Sequence, residues 1–482
     1  MKYFIQTLGC AMNYSDSERV AAALGKLGYS GAKKEGDADL YIFNTCSIRQ
    51  KGEDRVFGKL MALEARKRHG EDLLVGITGC MVRRTSTKNS PRRKIDKLVR
   101  DLDPVDFVFR IEDAKGLGRI LKDAAKKHAI RKTKEKRIRH QDHQEIMTDS
   151  CDRLDYLDIK PVYNSTFQVF VPIQIGCDKY CTYCIVPYSR GREQSRPMEE
   201  ILAECKSLVK KGCKEITLVG QTVNSYGLSG LDKESGLFNG VKEPFIRLLG
   251  KIDKLRALGL DRLRFSSPHP YDYSDSLIKV HAKLKTLPPH FHIPVQAGSD
   301  ETLKRMNRRY TAADYKELIR KIRATIPGAS VTTDIIVGFC GETKRDFAQT
   351  LTLFKDIKWD MAFLARYSPR PGTVSQKFFK DDVPRAEKAR RWHALNNLLK
   401  KFSLAYNKKL VGKTLEVLVE KYDPKLKECE GKSRENKLVQ FPGEASMVGT
   451  IQKVKITKAL DWNLKGQTRS AKGAECPKKN KS

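Results

Sequence analysis

Residues 169–197 read VFVPIQIGCDKYCTYCIVPYSRGREQSRP, an apolar run that breaks at Gly176 into a loop bearing three cysteines. A short run of β-branched and aromatic residues closed by glycine reads as a strand, so Cys177, Cys181 and Cys184 stand on the loop that leaves it. Their CxxxCxxC spacing delivers three thiolates to one place. A cubane 4Fe-4S cluster has four irons and ordinarily takes four cysteines, so a three-cysteine loop leaves one iron open to a small molecule. Such a site is built for chemistry rather than storage, and Tyr183, just before the third cysteine, adds to the specificity of the pattern. The competing reading is a zinc knuckle, which usually pairs one CxxC element with a distant second.

Downstream the same strand-then-helix pattern recurs. After VFVPIQI come EITLVGQ, RLRFSS, HFHIPVQ, SVTTDIIVGF and MAFLARYS, with amphipathic stretches such as EEILAECKSLVKKG and ADYKELIRKIRAT between them. Six such repeats predict an incomplete βα barrel. The cysteine loop then lies at the carboxyl ends of the strands, where βα barrels place their chemistry. Gln221 and Asn224, Ser266 and Ser267, Gln296 and Ser299, and Asp334 end other strands and are expected around the same mouth, although each taken singly also suits a cap or turn. His269 and His292 belong to strand-end segments too. No carboxylate or histidine spacing makes them metal ligands, so they read as satisfied polar residues or substrate contacts.

Upstream, KYFIQTLGC, DLYIFNTCS and DLLVGITGC are short apolar runs, each with a cysteine at or near its end. Between them Val20, Leu24 and Leu27, and again Val56, Leu60 and Leu63, repeat at helical spacing. The segment predicts alternating strands and helices around a parallel sheet. Cys10, Cys46 and Cys80 would then sit at the carboxyl ends of three strands, about one βα unit apart, where open α/β sheets keep their functional crevice. Three thiols at one edge suit a second iron-sulfur cluster, again one ligand short; three buried structural cysteines are the alternative.

Charge speaks for a polyanionic partner. The 482 residues carry 93 Lys and Arg against 58 Asp and Glu, a net +35, which favours phosphate backbones through counterion release and steering. Length predicts about three domains. Twelve cysteines, no leader sequence and no apolar run of membrane-spanning length argue against a secreted disulfide scaffold, and place the chain in the cytoplasm with no membrane association. A basic run at 126–139, with Lys126, Lys127, Arg131, Lys132, Lys134, Lys136, Arg137 and Arg139, marks either an RNA-binding arm or a solvated linker, and Cys151 beyond it suggests nothing by itself. Past Lys409, the runs KTLEVLVEK, SRENKLVQF and MVGTIQKVKITKAL predict a small β-barrel of the kind that binds nucleic acid, and the final SAKGAECPKKNKS is too polar to fold.

Taken together, TLGCAMNYSDSE, NTCSIRQKGEDRVFGKL, TGCM, IGCDKYCTYCIVPYSRGREQSRP, HIPVQAGSDETLKRMNRRY, DIIVGF and YSPRPGT resemble the radical S-adenosylmethionine (SAM) methylthiotransferases over nearly the whole chain. The resemblance implies an α/β protein of five parts: an N-terminal α/β methylthiotransferase domain (1–123), a basic linker (124–162), a radical SAM partial (βα)6 TIM-like barrel (163–404), a C-terminal all-β TRAM barrel (405–470) and a disordered tail (471–482). It implies two 4Fe-4S clusters, on Cys10, Cys46 and Cys80 and on Cys177, Cys181 and Cys184, the second set being catalytic, with SAM contacted by Gln221, Asn224, Gln296, Ser299 and Asp334. The stretches SIR and RGREQSRP point within the family to enzymes that add a methylthio group to C2 of N6-isopentenyladenosine at position 37, in the anticodon stem-loop of tRNA. The implied partners are tRNA, a reductase or flavodoxin-type electron donor and a sulfur donor. Two other readings stay open: a methylthiotransferase for threonylcarbamoyl-adenosine tRNA or a ribosomal-protein aspartate, and a non-catalytic iron-sulfur protein that only binds RNA. One departure stands out, since the family's FPGET is here Phe339, Cys340, Gly341, Glu342, Thr343, and loss of the proline is expected to loosen that loop.

Overall fold

The computed structural model describes residues 1–46, 50–82, 84–87, 90–95, 104–133 and 154–468; the side chains of 50–53, 84–95 and 130–133 are not described. The run KYFIQTLGC forms β1 (Lys2–Leu8), DLYIFNTCS forms β2 (Leu40–Thr45) and DLLVGITGC forms β3 (Leu74–Gly79). All pair in parallel, flanked by the short strands Ser30–Gly31 and Phe107–Val108. The spatial order is Ser30–Gly31, β1, β2, β3, Phe107–Val108, so the chain reverses its direction of travel at the β1/β2 edge. Ligands of doubly wound sheets bind at such a switch point.

Helix α1 (Ala11–Lys26) buries Val20 and Leu24 against this sheet, and α2 (Gln50–Arg68) buries Val56, Leu60 and Leu63. Leu27 departs from the sequence pattern: it follows α1 as the residue that closes it and is exposed. Helix α3 (Leu117–Thr133) runs through the expected boundary at 123, because Ile120, Leu121 and Ala124 continue one apolar face into the first domain's core. Lys126, Lys127, Arg131 and Lys132 lie on this helix, whereas residues 134–139, Cys151 and the 471–482 tail fall outside the described residues.

Six parallel strands make the second unit: β4 (Gln168–Pro172), β5 (Glu215–Val219), β6 (Arg262–Phe265), β7 (His290–His292), β8 (Ser330–Val337) and β9 (Met361–Arg366). They pair as two three-stranded sheets, β6-β5-β4 and β7-β8-β9. Between the halves the Leu263 amide donates to the Thr286 carbonyl at 2.9 Å. β4 and β9 are edge strands, so the barrel is open. Its outer face packs Val169, Val171, Ile216, Leu218, Val331 and Val337 under the helices.

The third unit is a closed five-stranded barrel: β10 (Thr414–Asp423), β11 (Glu428–Ser433), β12 (Leu438–Pro442), β13 (Ile451–Ala459) and β14 (Asn463–Thr468). The sequence run SRENKLVQF is not one strand: Ser433 ends β11, Asn436 turns with φ +63°, and Leu438 starts β12. This barrel seals the amino-terminal end of the open one. Arg262 donates to the carbonyls of Lys432 and Glu416, Arg264 to those of Ser433 and Arg434, and Lys437 pairs with Asp360 at 3.2 Å. Among the described residues no helix is long and apolar enough to cross a membrane.

Candidate active site

Two sets of thiols follow the carboxyl ends of strands, one set in each of the first two units. In the open barrel, Gly176 leads out of the first strand with φ +73°, and a Cβ there would lie 2.0 Å from the Arg192 carbonyl oxygen. Only glycine fits. The loop that follows carries Cys177, Cys181 and Cys184 as partly exposed free thiols. Cys177 Sγ stands 3.2 Å from Thr222 Oγ1, and Arg308 Nη1 donates to Cys181 Sγ at 3.3 Å. The same guanidinium donates to the Pro294 carbonyl at 3.0 Å and the Tyr310 hydroxyl at 2.8 Å, which fixes its aim. Burial pushes the Cys177 thiol up to about 12, and burial together with the neighbouring thiols pushes Cys184 well above its ordinary value.

In the first domain Cys10 caps the amino terminus of α1, Cys46 follows β2 and Cys80 follows β3. The main chain locks the last two in place, since the Cys46 amide donates to Leu8 and the Cys80 amide to Thr45. A buried amide pair supports the first: the Cys10 amide donates to Asn13 Oδ1 at 3.1 Å, while Asn13 Nδ2 donates to Asn44 Oδ1 at 2.8 Å. Burial around the thiol and the nearby Cys80 raise Cys10, although the residue reaches solvent at the crevice mouth.

Across the domain boundary Cys80 also raises Cys184, after burial and the two other barrel thiols. The wall between them is a buried ion pair, Arg190 from the cysteine loop's far end with Asp16 of α1 at 2.5 Å. Tyr156 donates to the same carboxylate at 3.1 Å. Behind it Arg19 and Arg196 converge on Glu204, at 3.6 and 2.8 Å. Sequence reading missed Asp16, Arg190, Thr222 and Arg308; only the clustering of arginines in RGREQSRP and NRRY hinted at them.

The strand-end polar residues divide. Asn224 is spent on the chain, donating to the His269 carbonyl at 2.9 Å and accepting from its amide at 2.8 Å. Ser299 caps the short helix Asp300–Arg305 and donates to Asp346, fully buried. Gln221 keeps a buried Oε1 with no partner among the described residues, Gln296 holds a left-handed backbone (φ +73°), and Asp334 lies 3.2 Å from His292 Nε2. His269 caps a turn through Nδ1, and burial lowers it to about 2, so it is neutral. The loop at Cys340 is held without the family's proline: Glu342 accepts from the Gly338 amide and pairs with Arg391 at 3.0 Å.

The donor chemistry fits iron-sulfur clusters. Soft thiols stand in two sets of three, each one short of a cubane's four, and Arg308 donates a hydrogen bond to the Cys181 sulfur. Among the described residues no three His, Cys, Asp or Glu side chains converge closely enough to hold a single metal ion.

Three family models match along the chain: the uncharacterized protein family UPF0004 over residues 2–100, the radical SAM superfamily over 171–354 and the TRAM domain over 408–468. The tRNA-2-methylthio-N(6)-dimethylallyladenosine synthase of Bacillus cytotoxicus is 40% identical over 97% of this chain and 85% of its own length. That of Anoxybacillus flavithermus is 39% identical over 97% and 82%. Among solved structures, the radical SAM methyltransferase TsrM from Kitasatospora setae aligns at 14% identity over 88% of this chain and 79% of that one, with a TM-score of 0.49.

Proposed function

We infer the reaction from one premise: this chain belongs to the family of tRNA-2-methylthio-N(6)-dimethylallyladenosine synthases, within the radical SAM methylthiotransferases. It is a radical SAM enzyme whose cofactors are 4Fe-4S clusters and SAM. Its reaction is the addition of a methylthio group to C2 of N6-isopentenyladenosine at position 37 of tRNA. The observation that carries this reading is the buried Arg190–Asp16 ion pair, which ties the end of the barrel's cysteine loop to the helix that Cys10 caps. A radical generated on one wall and sulfur held on the other need to meet the same adenosine.

When bound, an open-iron cluster with SAM supplies a one-electron route to an unactivated adenine C–H bond, which no acid or base offers at neutral pH. We assign Cys177, Cys181 and Cys184 to hold that cluster, and Cys10, Cys46 and Cys80 to hold the one that handles sulfur. Thr222 and Arg308 hydrogen-bond the first set's sulfurs and orient them. Gln221, Gln296 and Asp334 remain able to contact SAM; Asn224 and Ser299, committed to the chain, shape the mouth instead. The Arg190–Asp16 pair holds the two walls in register. The basic β-barrel and the net charge supply affinity for tRNA, and a reductase or flavodoxin-type donor and a sulfur donor complete the partners.

Nucleoside analysis of tRNA tests the proposal. A strain lacking this gene should accumulate isopentenyladenosine without its methylthio group, and only a copy with intact Cys177 should restore it. Unchanged isopentenyladenosine products, with loss of methylthio from threonylcarbamoyl-adenosine or from a ribosomal-protein aspartate, would move the enzyme to another branch of the family.

A further inference from the structure

On β7, β8 and β9 the lumen face of the open barrel sets polar groups beside an aromatic ring. Side chains alternate along a strand, so while Val331, Ile335 and Val337 of β8 join the outer core, Thr332 and Asp334 face inward. His292 of β7 joins them, its Nδ1 3.0 Å from Thr332 Oγ1 and its Nε2 3.2 Å from Asp334. On β9, an edge strand, Phe363 lies in register with Asp334 and meets the His292 ring edge to face, with centroids 5.7 Å apart. It is 44% exposed.

A half-exposed phenylalanine on the lumen face of an edge strand, beside a hydrogen-bonded His–Asp pair, is a surface for a flat, partly apolar ligand. Proteins read unpaired bases of RNA by splaying them onto such aromatic rings. We propose that Phe363 is the specificity-determining platform that receives the isopentenyl-bearing adenine, its ring covering the apolar part of the nucleoside while His292 marks the polar side of the subsite. This rests on the substrate proposed above and adds the residue that reads it.

The test needs no cofactor and no turnover. Anticodon stem-loop RNAs with isopentenyladenosine or plain adenosine at the target position are titrated into the full chain without SAM, and the ratio of the two affinities is measured by fluorescence anisotropy. Wild type should prefer the isopentenyl RNA. Phe363→Ala should lose roughly five- to a hundredfold in affinity for that RNA and much less for the plain one, while Phe363→Tyr, which keeps the ring, should retain the preference. A wild type that discriminates beside a Phe363→Ala that discriminates equally overturns the platform alone. A wild type that binds both RNAs equally overturns the isopentenyladenosine reading and the platform with it.

Discussion

Burial sets the protonation of two thiols in the barrel set. Burial pushes Cys177 up to about 12 and Cys184 well above its ordinary value, so without a cationic partner both stay protonated at neutral pH. Cluster loading must release those protons. Cys181→Ala in anaerobically reconstituted protein should therefore make no deoxyadenosine from SAM, whereas Cys80→Ala, whose thiol lies in the other domain, should still cleave SAM yet insert no sulfur. Quantifying deoxyadenosine and methylthiolated product in the two variants checks both, and full product from Cys80→Ala would defeat the division of labour. A second prediction concerns a histidine away from the thiols. His281 Nε2 lies 2.7 Å from the Pro288 carbonyl, its ring stacks on Phe291 at 4.1 Å, and burial lowers it to about 4. The unfolded chain takes up a proton near pH 6.5 that the folded one refuses until about pH 4. Stability contributed by the neutral ring is thus full above about pH 6.5 and is lost as pH falls toward about 4. The urea midpoint should drop over that window, and His281→Gln, which keeps a donor for Pro288, should drop less.

At the scale of elements, the strand ends do the positioning, and Gly79 shows how little room they leave. It closes β3 with φ +89°, and a Cβ there would lie 2.4 Å from the Thr45 carbonyl oxygen and 2.6 Å from Asn44 Oδ1. Gly79→Ala should cost about 2–5 kcal/mol, from left-handed strain plus overpacking. Denaturant unfolding would measure it, and a cost below about 1 kcal/mol would mean that the Cys80 turn tolerates displacement. The apolar runs of the two parallel sheets were legible because strands buried on both faces read as unbroken Val, Ile and Leu. The cysteines stood out because they end those runs. What stayed hidden was whatever depends on distant partners: Asp16 and Arg190 are ordinary charged residues until folding brings their helix and loop together. Asn224 and Ser299 looked like site residues for a related reason. A polar residue at a strand end serves a cap or a cofactor equally well in sequence, and only the partners at Asp346 and His269 decide.

For the whole molecule, charge and docking have separate addresses, and this allows the RNA anchor to be tested without dismantling the protein. The small barrel is held to the base of the open one by Arg262, Arg264 and the Lys437–Asp360 pair, and removing it would leave the two arginines without their carbonyl partners and Asp360 without its lysine. Truncation therefore confounds RNA affinity with stability. On the outer face of β13, by contrast, Lys453, Lys455 and Lys458 alternate with the buried Val454 and Ile456 and project into solvent. Replacing all three by Gln leaves the core and the docking surface untouched. If this face neutralises tRNA phosphates, the slope of log affinity against log salt should flatten by roughly 0.7–0.9 for each phosphate that is no longer neutralised, with the melting transition unmoved. An unchanged slope would take the anchor away from this barrel and give it to the basic segment at 126–139, whose Lys126 and Lys127 extend α3 on the first domain. The same titration on variants of those two lysines would then show the flattening instead, because sequence-independent affinity follows the number of phosphates neutralised rather than the fold that carries the charge.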